Sequence, residues 1–151
     1  MSLKIRLAPD ERIVINGALI QADGRCSLVF LNNSSFLTEK HIMRPAEAST
    51  PARRIYYMIQ NSYMANDAER PPILATLHDL IGDFHQATTV QSIKDTLDEI
   101  RELVANAEYY PALRLSEVVM RHEDRHLGNP KWTESRRQGG QRSGPEPEKQ
   151  R

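Results

Sequence analysis

One cysteine, Cys26, in 151 residues excludes an intramolecular disulfide and any CxxC metal or redox site. A lone cysteine fits a reducing compartment and suits a small buried side chain. No stretch approaches the roughly eighteen consecutive apolar residues of a membrane-crossing helix. The opening Met1-Ser2-Leu3-Lys4 lacks the apolar core of a signal peptide. The expectation is a soluble cytoplasmic protein with no membrane partner. No serine sits in a G-x-S-x-G elbow, no phosphate-binding P-loop is present, and Ala22-Asp23-Gly24-Arg25 is too short to be more than a turn. No internal repeat is apparent.

Net charge is also absent, but its total of zero hides a segregation. Residues 1–54 carry eight Lys/Arg against five Asp/Glu, residues 55–109 three against nine, and residues 110–151 nine against six. The chain is basic, then acidic, then basic, so a neutral whole does not exclude one face that binds a polyanion.

What is there begins as strands. Leu3, Ile5 and Leu7 alternate with Lys4 and Arg6, the period-two pattern of a half-buried strand. Arg12 to Ile15 and Ala18 to Ile20 flank Asn16-Gly17, a strong hairpin signal, and Asp23-Gly24 turns into Cys26 to Leu31. Phe36 to Met43 reads as a last strand or a short helical turn. This is an antiparallel meander with one apolar face, and so small a sheet needs a partner layer.

From Thr50 the period becomes helical. Thr50 suits an N-cap and Pro51 the first helical position. Pro71-Pro72 ends whatever precedes it. Ile73, Leu74, Leu77, Leu80, Ile81 and Phe84 mark a second, and Val90, Ile93, Leu97, Ile100, Val104 and Ala107 form a 3-4 seam on an acidic third. Tyr109-Tyr110-Pro111 interrupts, Leu113 to His126 makes a fourth helix, and Gly128-Asn129-Pro130 stops it. The fold class is α+β: a small antiparallel sheet over 1–48, a helical region over 49–127 packed on or beside it, and a polar, disordered tail over 128–151 with Trp132 as its one large apolar residue.

His122-Glu123-Asp124-Arg125-His126 formally matches the zinc motif H-E-x-x-H. It lies on the last turn of the last helix with no third ligand nearby, so it reads as a charged helix end that complements the dipole. Paired carboxylates such as Asp98-Glu99 read as a solvated face. The chain is not expected to be an enzyme, and no metal or cofactor is expected.

The basic residues point elsewhere. Lys4, Arg6, Arg12, Lys40, Arg44, Arg53 and Arg54 would converge if the sheet edge adjoins the start of the first helix, with Tyr56 and Tyr57 stacking on bases of single-stranded RNA. In the competing reading the tyrosines close the core and the arginines pair with the acidic middle segment. The acidic seam would bind a partner helix or a second copy of the chain, leaving a homodimer open, or it packs on its neighbour.

Leu3-Lys4-Ile5-Arg6-Leu7, Asn16-Gly17-Ala18, Phe36-Leu37 to Ile42-Met43 and Thr50 through Tyr57 stand in an order that resembles the FlbT family of flagellum biosynthesis repressors of alphaproteobacteria, over residues 1–127. That resemblance implies a cytoplasmic post-transcriptional regulator that associates with the 5′ untranslated region of flagellin mRNA and promotes its degradation. It also implies a link to the companion regulator FlaF, and activating members leave the sign of regulation open. The alternative is a helical, chaperone-like adaptor that binds flagellin or a companion regulator and affects mRNA indirectly. The first 45 residues are also similar to the small CsrA-type RNA-binding proteins, which are strand-exchanged dimers; that likeness implies an RNA face of Lys4, Arg6, Lys40 and Arg44.

Overall fold

A computed structural model describes residues 2–133. Five strands come first: β1 (Leu3–Leu7), β2 (Arg12–Ile15), β3 (Ala18–Gln21), β4 (Cys26–Phe30) and β5 (Phe36–Thr38). Two single-turn 3-10 helices, Glu39–His41 and Pro45–Glu47, lead into four α-helices: α1 (Pro51–Met64), α2 (Arg70–Ala87), α3 (Gln91–Ala105) and α4 (Tyr109–Leu127). The α+β order is the expected one. Among the described residues no helix is long and apolar enough to cross a membrane.

The strand pairing differs from a meander. β1 pairs antiparallel with β4 in a two-stranded ribbon, and β3, β2 and β5 form a separate antiparallel sheet. The β2–β3 hairpin is thus enclosed between the two strands of the ribbon in sequence. Asn16 and Gly17 have φ of 49° and 85°, the positive pair that a type I′ turn requires. Because β1 finds β4 within its own chain, the strand exchange implied by the CsrA likeness is not needed to complete the ribbon.

Three layers result. On β2 both Ile13 and Val14 are fully buried, although adjacent residues of a strand point to opposite faces. Ile13 joins Leu7 and Ala22 in a small core against the ribbon, and Val14 joins Leu37 in the main core with the helices. The central strand β2 is therefore covered on both sides, not one, while β3 beside it stays exposed. The single cysteine is on the ribbon and exposed, contrary to the expectation of a buried side chain.

α1 is the central helix, packed on both α2 and α4. Its Gln60 clamps the backbone of Met43 from both sides, accepting from the N–H at 2.7 Å and donating to the carbonyl at 3.0 Å. The seam of α3 packs inward: Ile93, Leu97, Ile100 and Val104 are buried in the main core, against α4 and α2. An exposed seam offered to a partner is thereby set aside. Pro71 and Pro72 open α2, after α1 has already ended at Met64, and Pro111 sits in the first turn of α4.

The chain after α4 is also partly built in. Gly128, with φ of 70°, ends α4 in the left-handed conformation. The chain then turns back and buries Trp132 against Tyr56, ring centroids 5.4 Å apart. A tail that is loose from residue 128 onward is corrected to this extent. The remainder, 134–151, lies outside the described residues.

Candidate nucleic-acid interface

The N-terminus of α1 meets the C-terminus of α4, and two carboxylates decide what that meeting exposes. The Thr50 hydroxyl accepts from Arg53 N–H at 3.3 Å and its carbonyl from Arg54 N–H at 2.9 Å, which leaves Ala52 N–H as the first-turn donor of α1 without an intrahelical partner. Glu123 Oε2 accepts from Ala52 N–H at 2.9 Å and so caps α1 from a different helix. Beside it, Arg53 Nη2 donates to Asp124 Oδ1 at 3.2 Å and to the Pro130 carbonyl at 3.0 Å. Arg53, Glu123 and Asp124 are all buried. Both acids of the last α4 turns face inward, where one meets the positive end of the α1 dipole and the other a guanidinium.

What remains outside is basic. Arg54, Arg121, Arg125 and His126 are exposed and His122 is half-buried. Among the described residues no ion pair engages Arg54, Arg121 or Arg125. His122 and His126, one turn apart, lie with ring centroids 6.3 Å apart and line the same cleft as Arg54. That cleft has a volume of about 600 Å³. Arg54 is therefore brought to the end of α4 by a geometry that no local pattern indicates.

The other expected contacts are dispersed. Lys4 and Arg6 are exposed on the ribbon, in register with Val29 and Ser27, on the layer across the sheet from the helices. Arg12 is half-buried and paired with Glu39 at 3.6 Å. Lys40 and Arg44 are exposed on the link between β5 and α1. These cations do not share one groove with Arg54.

Two expected contacts are corrected outright. Tyr56 is fully buried, and its hydroxyl donates to the His41 carbonyl at 2.6 Å, so its ring cannot stack on a base. Arg53 is held in the interior by Asp124 and Pro130, so it is a structural cation. Tyr57 is half-buried and packs on the main core.

Sequence reasoning read His122, Arg125 and His126 only as a metal motif or a dipole complement, and passed over Arg121. The missed signal is that Glu123 and Asp124 sit one turn beyond Val119 and Met120, on the apolar face of α4. In this geometry Glu123, the would-be catalytic acid of the zinc motif, is occupied as a helix cap. Among the described residues no three His, Cys, Asp or Glu side chains gather as a metal site would need.

Against known proteins, the family described as "Flagellar protein FlbT" matches residues 3–127. The chain is 36% identical over 133 residues to a Caulobacter vibrioides protein named "Flagellum biosynthesis repressor protein FlbT", covering 85% of this chain and 92% of that one. It is 37% identical over 132 residues to a Caulobacter sp. "Probable flagellum biosynthesis repressor protein FlbT", covering 85% and 98%. A protein of the same name from Mesorhizobium japonicum is 34% identical over 131 residues, covering 84% and 86%. No solved structure matches the chain.

Proposed function

The chain belongs to the FlbT family of flagellar proteins, and from that premise we propose that it is a non-enzymatic repressor of flagellum biosynthesis that acts on flagellin mRNA. It associates with the 5′ untranslated region of the message in the cytoplasm and promotes degradation. The repressor role is supported by the names of relatives that match most of their own length. The RNA contact is supported by one observation above the rest. Glu123 and Asp124 are spent on α1, so the ionisable side chains that the last two turns of α4 offer to solvent are Arg121, His122, Arg125 and His126, next to Arg54.

Such an array suits a single-stranded leader. Arginine guanidinium groups pair phosphate oxygens through paired N–H donors, and the imidazole faces of His122 and His126 add planar surfaces for unpaired bases. Lys4, Arg6, Lys40 and Arg44 serve as outlying phosphate contacts for a longer leader, with Tyr57 the one tyrosine of the pair still partly open. Occupying the leader would expose the message to decay without any chemistry by the protein itself.

Ultraviolet crosslinking of the purified full-length protein to a flagellin leader, followed by mapping of the attached peptides, tests this. Adducts are expected on the peptides that carry Arg54 and residues 121–126. Adducts confined to the ribbon, or none, would move the RNA contact away from the bundle end.

A further inference from the structure

The cleft beside Arg54 has walls that RNA contact does not explain. The helical half exposes two large aliphatic side chains among the described residues, Val90 at 38% and Leu127 at 55%, and both open onto this cleft. Leu80 and Phe84 of α2 continue the apolar surface below them. A phosphodiester backbone gains nothing from four such side chains, whereas an apolar side chain gains by leaving water.

The charge around those walls narrows the occupant. Arg54, His122 and His126 line the cleft, with Arg121 and Arg125 on the adjoining turns of α4. Of the two acids that line it, Asp83 is exposed, and Glu123 is buried and engaged as the cap of α1. The chain's own residues 134–151 are a poor fit. They contain no aliphatic or aromatic side chain apart from two prolines, and their Arg136, Arg137 and Arg142 would meet a rim of the same sign.

We propose that this cleft docks an acidic amphipathic helix of a protein partner. Large apolar side chains one turn apart enter between Phe84 and Leu127, and the partner's carboxylates lie toward Arg54 and the end of α4, the helix-in-groove mode with a complementary rim. The site shares Arg54, His122 and His126 with the RNA reading but rests on the apolar walls that RNA does not need, and either can fail alone.

The test uses the full-length protein and two fluorescein-labelled helical peptides that share leucines at i, i+3, i+4 and i+7, one on a glutamate background and one on a lysine background. Fluorescence anisotropy should show the acidic peptide binding at least about tenfold more tightly, a difference of about 1.4 kcal/mol. Leu127→Glu and Val90→Glu, both at exposed positions and checked for unchanged circular dichroism, should each weaken it by about tenfold or more. Equal binding of the two peptides, or unchanged binding by both variants, would overturn the proposal. So would an uridine-rich single-stranded RNA oligonucleotide that loses its binding to both variants while the acidic peptide keeps it, because the cleft would then serve nucleic acid.

Discussion

Glu123 and Asp124 lie among His122, Arg125 and His126 in a run that local chemistry reads as solvated, yet both are buried against α1. Removing one partner of a buried ion pair leaves the other charge uncompensated, so Arg53→Ala should destabilise the fold by about 3–5 kcal/mol in urea unfolding. Glu123→Gln keeps an acceptor for Ala52 N–H but loses the charge assistance and buries an amide NH2 where Oε1 has no hydrogen-bond partner, which should cost about 1–3 kcal/mol. Tyr56→Phe removes the hydroxyl that donates to His41 and should cost about 1 kcal/mol without affecting RNA binding. A base-stacking Tyr56 would show the reverse, a stable protein that binds RNA poorly. At this scale the sequence was legible where a residue acts on its neighbours, as with Thr50 and Pro51 at the start of α1. It was not legible where a side chain is claimed by a residue 71 positions away, as Ala52 claims Glu123. Trp132 was hidden for the same reason, since its partner Tyr56 lies far back in the chain, on α1.

Among the elements, the turns are the most exactingly specified. Gly17 has φ of 85°, and a Cβ added there would lie 2.7 Å from the Tyr63 carbonyl at the far end of α1. Left-handed backbone alone costs a side chain about 1–2 kcal/mol, so Gly17→Ala should lower stability by at least that amount in a thermal or urea melt. The Asn16-Gly17 turn was read from sequence because its dihedrals are local; its contact with α1 was not. The opposite sign applies after α3. Ala107 has φ of 59°, and Glu108 N–H reaches back to the Leu103 carbonyl at 2.8 Å while Ala107 N–H reaches Val104 at 3.0 Å. This is a Schellman end with alanine where glycine is unstrained. Ala107→Gly should therefore stabilise the protein by about 0.5–1 kcal/mol. Strand order was beyond local signals because β1 and β4 carry similar alternation, and nothing in either says that they pair with each other around a hairpin. The buried seam of α3 shows a related limit: a 3-4 stripe has the same spacing whether it meets a neighbour or a partner.

At the scale of the molecule, the basic, acidic and basic thirds of the chain do not become three charged faces. Folding spends part of the terminal positive charge internally, with Arg53 buried and Arg12 paired, and turns two acids of the last helix inward. The basic end that results joins Arg54 to Arg121 and Arg125 across sequence, while Lys4 and Arg6 stand on the ribbon. Segregation of charge was legible in the sequence; which cations share a surface depended on the packing of α1 against α4. The most direct measurement is a titration of the full-length protein with a flagellin leader RNA across salt concentrations, for wild type and for Arg54→Ala/Arg121→Ala/Arg125→Ala. Three phosphate contacts to single-stranded RNA give a log–log slope of roughly −2. The triple variant should lose most of that slope and bind at least about tenfold more weakly at low salt, whereas Lys4→Ala/Arg6→Ala should change the slope by less. A salt response unchanged in the triple variant, or a wild-type affinity that does not vary with salt, would contradict a nucleic-acid interface at the end of α4.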